Sequence, residues 1–427
     1  MADFAGLAVC GCDDPVQVKS RMSVHDAVCR AHALVRKPVE FDLIELSCAG
    51  NRTLSKDLHA PAPMPFFNNS AMDGFAVRTS CFAGNGPWKL PVIGPLAAGS
   101  QPIPSVPETP VAVRIFTGAP VPEGFDAVVM QEDVGMDASQ AVFVRKPVAG
   151  QNVRQQGEDI KRGTLLVRAG TRLGSRHVGL LAANGYSAVN AYRRPRVGVF
   201  STGDEIIKAG QSMSFGQLFD ANRPMLIRLA SQAGADVTDL GIIGDTLDET
   251  AACFAGLAGK FDLIVSSGAV SVGGHDFIKP ALEKAGGEVA FWQVAMKPGK
   301  PVMFGKIGEA IVAGLPGNSL AAYVGFKLFV DGMVARLSGC QGPVHLATTP
   351  AIAGFDWNRW PGRTEYFPVK RTGTDKFGAP VMERLGRGGS ASLAPLCLAD
   401  GIAVVAADID TVKTGDMLSW HDLSNTD

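Results

Sequence analysis

Apolar positions follow two periods along this chain, and the change from one to the other marks its parts. Between residues 195 and 338, short apolar runs alternate with longer amphipathic stretches. Arg196–Phe200, Ala235–Ile243, Leu263–Val265, Glu288–Val294 and Ala310–Leu315 read as strands. Asn222–Ala233, Thr246 to Ala258, Asp276–Ala285 and a long segment from Asn318 to Leu337 read as helices. Thr246 with Glu249 makes a capping box at the head of the second. Strands alternating with helices predict βαβ units, a parallel sheet and right-handed crossovers.

Elsewhere the texture differs. A helix is predicted over 20–45, capped by Ser23, with Val24, Ala27, Val28, Ala31, Leu34 and Val35 on one face. From 46 to 155, the runs Val92-Ile93, Val111–Phe116, Ala127–Met130 and Ala141–Val144 are set off by Pro and Gly, as in a β-rich insertion. A helix near Arg176–Asn184, ended by Gly185, follows. Beyond 340, runs such as Glu365–Val369 and Gly401–Ala407 predict a small all-β domain. The expected fold is therefore multidomain α/β and β. Residues 1–45 with 156–194 form a split elongated domain, 46–155 an inserted β-rich domain, 195–340 a doubly wound α/β domain, and 341–427 a C-terminal β domain.

Composition narrows the function. Forty basic against 41 acidic residues leave a net charge of −1, which argues against nucleic-acid binding by general electrostatics. No apolar run reaches the roughly 18 residues of a membrane span, and the N-terminus lacks the basic flank of a secretory signal. Eight Cys, sparse in 427 residues, with no C-x-x-C, point to a reduced, cytoplasmic setting. The Cys10–Cys12 pair reads as incidental thiols.

Ligands of an open α/β sheet bind beyond the carboxyl ends of its strands. Three such ends carry Gly-, Ser- and Thr-rich turns: Ser201-Thr202-Gly203-Asp204-Glu205, Ser266 through Asp276, and Ala313 through Ser319. Three in register predict one pocket for anionic oxygen, though neither a Walker A loop nor a GxGxxG is present. Met296-Lys297-Pro298-Gly299-Lys300-Pro301 places two cations on a Pro-stiffened loop beside it, as point-charge partners for phosphate. Loop carboxylates Asp73, Glu158, Asp159, Asp204, Glu205, Asp245 and Asp276 are N-caps or, beside bound phosphate, Mg²⁺ ligands.

Seven motifs then occur in a telling order: Asn69–Phe75 (NSAMDGF), Phe116–Pro122 (FTGAPVP), Gly157–Gly163 (GEDIKRG), Ser201–Ile206 (STGDEI), Ser267–Asp276 (SGAVSVGGHD), Met296–Pro301 (MKPGKP) and Gly314–Asn318 (GLPGN). With them the chain, from about 20 to 425, resembles the molybdopterin molybdenumtransferases, the MoeA family, similar to the gephyrin E domain. The resemblance implies an elongated chain with a MogA-like α/β domain and a C-terminal β-barrel. It implies a Mg²⁺-assisted reaction in which adenylylated molybdopterin and molybdate give molybdenum cofactor and AMP. It implies a homodimer, with the inserted domain of one subunit completing the site on the α/β domain of the other. It also implies transient contact with the adenylyltransferase and with molybdoenzymes.

By position, the resemblance assigns Ser201, Thr202, Gly203, Asp204, Glu205, Ser267, Gly268, Ser271, Gly273, Pro316, Gly317 and Asn318 to the pterin-nucleotide pocket. Lys297 and Lys300 meet phosphate or molybdate, Thr117 offers a hydroxyl to the anion, and Asp159, Glu205, Asp245 and Asp276 act in catalysis. The metal set is Asp245, Asp276 and Glu205. Asn68, Ser70 and Asp73 reach across the dimer, and Arg363 and Ser392 contribute from the last domain. Three departures stand out: Asn68 where many bacterial members have Asp, Ala269 for a Gly, and Ser319 for a Pro. A catalytically weakened paralogue serving as a pterin-binding or scaffold protein is therefore the alternative, and a pyrophosphatase-like nucleotide enzyme a third reading.

Overall fold

The computed structural model describes residues 22–101, 108–268, 277–342, 346–386, 389–391 and 393–424. Cys10, Cys12, Ala269, Ser271, Gly273, Asp276 and Ser392 lie outside these. At the centre is a six-stranded sheet of β1 (Arg196–Thr202), β2 (Asp236–Ile243), β3 (Leu263–Ser267), β4 (Glu288–Trp292), β5 (Met303–Ile307) and β6 (Ala310–Leu315). The spatial order is β2-β1-β3-β6-β5-β4. β1 runs parallel to β2 and β3, and β3 parallel to β6. β5 runs antiparallel to both its neighbours. The apolar pattern passes over β5, and the sheet is not wholly parallel as expected. β5 and β6 are joined by the two residues Gly308 and Glu309, a link too short for anything but an antiparallel hairpin.

Period-two alternation decides what each face buries. Val197, Val199, Leu263, Val265, Ile311 and Ala313 pack on one face with Leu226, Leu229 and Ala230 of α1 (Asn222–Gln232). Phe200, Ile264 and Val312 pack on the other with Phe254 of α2 (Leu247–Leu257) and with Ile278 and Leu282 of α3 (Ile278–Lys284). Each fully buried Phe or Leu contributes about 1.5–3 kcal/mol. The helices after β1 and β6 share the first face; those after β2 and β3 share the second. β3 thus lies between two strands whose connections leave on the opposite side, which opens a crevice at their carboxyl ends. The helix after β6 runs from α4 (Ser319–Gly325) through a π-helical stretch, Phe326–Val330, into Asp331–Leu337.

The first helix is shorter than its apolar stripe predicts, Val24–Ala33. Pro38 disfavours a helical residue before it, and the chain passes into strand Phe41–Glu45, antiparallel to Ala188–Tyr192. Leu58–His59 pairs with Leu165–Val167, so by pairing the inserted unit starts beyond His59, not at 46. Its own six-stranded sheet includes Gly74–Val77, Trp88–Leu96, Ala112–Ile115, Ala127–Met130 and Gln140–Phe143, around Phe75, Phe82 and Phe143. At the C-terminus, Thr364–Thr374 pairs with both Pro380–Arg384 and Gly401–Val405. Thr349–Ala353 and Met417–Asp422 close the ring into a five-stranded barrel filled by Phe367, Val369, Met382 and Trp420. Met296–Lys297 joins this barrel as a short parallel strand on Thr364-Glu365. Lys297 therefore stands on a strand, not on the loop that two flanking prolines suggested.

Candidate functional site

The crevice at the strand ends is a cleft of about 970 Å³. Its walls are the turns after β1 (Ser201 to Ile206), β2 (Asp245), β3 (Ser267, Gly268) and β6 (Pro316 to Ser319), with Leu218 to Asn222 across its mouth. A second cleft of about 490 Å³ adjoins it, with Pro301, Pro316 and Asn318 common to both. Lys297, Lys300, Arg363 and Ser390 line this second cleft, which gives it a cationic wall.

The three hydroxyls at the strand ends are spent inside the protein. Ser201, Thr202 and Ser267 are buried. Ser201 donates to Asp220 at 3.1 Å, Thr202 to Asp245 at 3.2 Å, and Ser267 to the Pro316 carbonyl at 3.4 Å. These bonds hold the turns in register, and all three residues line the cleft. Gly268 has φ +103°, and a Cβ there would sit 2.5 Å from the Thr202 carbonyl oxygen. Only glycine lets β1 and β3 end this close together.

Asp220, Asn222 and Arg223 belong to this site and escape sequence reasoning. Asp220 accepts from the Arg223 Nε at 2.8 Å, and Arg223 also pairs with Asp239. Burial opposes the Arg223 charge, but hydrogen bonds to Asp239 and Asp220 outweigh it and hold the guanidinium above its ordinary pKa. Asn222 Nδ2 donates to Ser267 Oγ at 2.8 Å and to the Gly317 carbonyl at 2.6 Å, tying the ends of β3 and β6 together. In the sequence Asp220-Ala221-Asn222 reads as an ordinary helix start; only burial reveals its use. Asn222→Ala leaves the buried Ser267 hydroxyl and the Gly317 carbonyl short of a donor and is expected to lower stability by about 1–3 kcal/mol. Urea unfolding of the variant measures this.

The Asp245 backbone amide donates to Asp204 Oδ1 at 3.3 Å, which ties the Asp204 carboxylate to the Asp245 turn at the cleft wall. Glu205 lines the same wall, its carboxylate close to Gly203. Among the described residues no three His, Cys, Asp or Glu converge as a metal-binding group. Of the expected metal set, Asp245 and Glu205 line this wall with Asp204, and Asp276 lies outside the described residues; Mg²⁺ takes one or two carboxylates and fills its octahedron with water and phosphate oxygens.

Asn318 heads α4 but makes no side-chain cap; its amide donates to Ser390 Oγ at 2.8 Å instead. Lys297 lies 3.1 Å from buried Glu365. Lys300 faces the same cleft with no carboxylate partner among the described residues.

Asn68, Ser70, Asp73, Thr117 and Asp159 line neither cleft of their own chain. Ser70 is buried and its hydroxyl donates to the Met72 carbonyl, so it shapes the loop. Asn68 Oδ1 accepts from the Gln156 amide at 2.8 Å, a bond that an aspartate would accept equally. Thr117 donates both its amide (2.8 Å) and its hydroxyl (2.7 Å) to Asp73 Oδ1, so the hydroxyl that sequence reading offered to an anion has another partner. These two bonds, with Arg114 nearby, hold the Asp73 carboxyl below its ordinary pKa. A depressed carboxylate contributes its stabilisation above the ordinary range and loses it as pH falls through the lowered value. Thr117→Val is expected to move the Asp73 titration up, toward the ordinary value, in a carboxyl ¹³C NMR titration.

A doubly wound sheet with a nucleotide-sized cleft and an adjoining cationic cleft defines a binder of a large, oxyanion-bearing ligand. Residues 22–185 match the MoeA N-terminal region (domain I and II), 198–336 the "Probable molybdopterin binding domain", and 350–423 the MoeA C-terminal region (domain IV). The chain is 39% identical over 333 residues to the molybdopterin molybdenumtransferase of Haemophilus influenzae, covering 77% of this chain and 81% of that one. It is 31% identical over 389 residues to molybdopterin molybdenumtransferase 2 of Mycobacterium tuberculosis, covering 89% and 95%. The molybdopterin biosynthesis MoeA protein from Pyrococcus horikosii superposes with a TM-score of 0.78 at 27% identity, over 95% of this chain and 100% of that one. The chain belongs to the molybdopterin molybdenumtransferase (MoeA) family.

Proposed function

We propose that this protein is the transferase that completes the molybdenum cofactor. It binds adenylylated molybdopterin and molybdate, cleaves the adenylate, and places molybdenum on the dithiolene, releasing AMP. The observation that carries this reading is the pair of adjoining clefts. The larger has room for a pterin nucleotide among the Gly turns and carboxylates. The smaller sets Lys297, Lys300 and Arg363 where a phosphoanhydride or a molybdate oxyanion meets positive charge.

Mg²⁺, held by Asp204 and Asp245, would neutralise phosphate charge. The lysines would orient the anion. The inserted domain's loops line neither cleft of their own chain, which supports a homodimer in which Asn68 and Asp73 serve the partner's site. No described helix is long and apolar enough to cross a membrane. Action in the cytoplasm, between an adenylyltransferase and molybdoenzymes, fits the exposed Cys29, Cys48 and Cys397.

The test is AMP release from adenylylated molybdopterin by the purified chain, with Mg²⁺, with and without molybdate. Molybdate-dependent release with cofactor formed is expected. Release indifferent to molybdate would make the protein a nucleotide hydrolase, and tight binding without release would make it a pterin-binding protein.

A further inference from the structure

Among the described residues, the group that holds the Lys297 ammonium lies in another domain. Lys297 Nζ meets Glu365 Oε1 at 3.1 Å, and Glu365 sits on the barrel strand Thr364–Thr374. The backbones are paired at the same place, with Lys297 opposite Glu365 in a parallel ladder. Glu365 is 3% exposed. Its other oxygen, Oε2, accepts from Arg359 Nε at 3.2 Å. Arg359, also buried, spends its remaining nitrogens on three backbone carbonyls: Ala406 at 2.9 Å, Ile409, and Arg363. Arg363 is itself a lining residue of the cationic cleft.

A buried carboxylate between two cations is costly unless each oxygen is satisfied, and here each is. The arrangement is more than a generic domain contact, because one guanidinium is tied to two cations of the cleft. It reaches Lys297 through Glu365 and the Arg363 backbone directly. We infer that Arg359 and Glu365 form a positioning relay, by which the C-terminal barrel fixes the Lys297 ammonium and the Arg363 backbone at the anion cleft. The relay acts on the oxyanion of the proposed reaction and so rests on that reading. Glu365 does not line the cleft and acts through Lys297.

A double-mutant cycle tests this in the full-length chain. Glu365→Gln keeps the shape and removes the charge that holds Lys297. It is expected to lower kcat for molybdate-dependent AMP release by about tenfold, with KM for adenylylated molybdopterin within about twofold. In a Lys297→Ala background the same change should cost less than about twofold, because the residue it serves is gone. An equal loss in both backgrounds would overturn the relay.

Lysine labelling, read by peptide mass spectrometry, supplies a second readout that needs no activity. Lys297 should react several-fold faster in Glu365→Gln while Lys300 does not change. Equal labelling of Lys297 in the two proteins would also overturn the relay. If Glu365→Gln does not fold, Glu365→Asp, which keeps the charge and withdraws it by one methylene, takes its place in both measurements. A wild-type chain that releases no AMP would refute the functional reading, and labelling would then decide the relay alone.

Discussion

Gly268→Ala is expected to abolish molybdate-dependent AMP release and to lower the unfolding free energy by about 2–5 kcal/mol. Two effects add. The residue has φ +103°, a conformation that costs an L side chain about 1–3 kcal/mol. The new methyl would also meet the Thr202 carbonyl oxygen at 2.5 Å, and that oxygen is backbone at the end of a buried strand and cannot swing aside. Relief must come from parting β1 and β3, the strands whose ends frame the larger cleft. Thr202 would then draw Asp245 with it, and Ser267 would draw Asn222 and Gly317. Urea unfolding together with the AMP assay measures both consequences. A variant within 1 kcal/mol of wild type that turns over normally would show that the turn is slack and the account of the cleft wrong.

Lys300→Ala is expected to lower kcat by about 10²–10³-fold while leaving stability unchanged within about 0.5 kcal/mol. Lys300 is half-buried at the cationic cleft, between two prolines and beside Gly299. With no carboxylate partner among the described residues, it contributes little to the fold and its charge is available to the anion. An ammonium placed in advance stabilises charge that moves onto the leaving phosphate without reorganising. Lys300→Arg should recover only part of the rate, because a planar fork does not fit a site shaped for a point charge. A loss under tenfold in Lys300→Ala would assign the anion to Lys297 and Arg363 alone.

Much of this was legible because the central domain obeys simple periods. β1, β3 and β6 alternate between two buried faces, and the turns after them carry the Gly, Ser and Thr that mark an oxyanion site. Antiparallel β5 was not legible. Its apolar residues follow two prolines, and nothing local distinguishes them from a loop. The first helix stops at Ala33, and Pro38, by restricting Lys37, keeps the chain from resuming it, an effect a hydrophobic stripe does not register. In the site, residue type was legible and direction was not. Ser70, Ser201, Thr202 and Ser267 have suitable hydroxyls, but all four are buried and donate within the protein. Asp220, Asn222 and Glu365 were missed for the converse reason. Their roles arise from contacts with residues far away in the chain or in another domain.

The short strand Met296–Lys297 has a consequence for how the protein is made. Synthesis runs from the N-terminus, and domains fold largely as they emerge. Nearly the whole wall of the larger cleft lies between Ser201 and Ser319, so it can close while the barrel is still unmade. The strand partner of Lys297 arrives only with Thr364-Glu365, and the carbonyls that hold Arg359 arrive later still, at Ala406 and Ile409. A nascent chain can therefore shape a place for the nucleotide before it can organise charge around the anion. Competence for chemistry follows the cleft, once the strands of the barrel have left the ribosome.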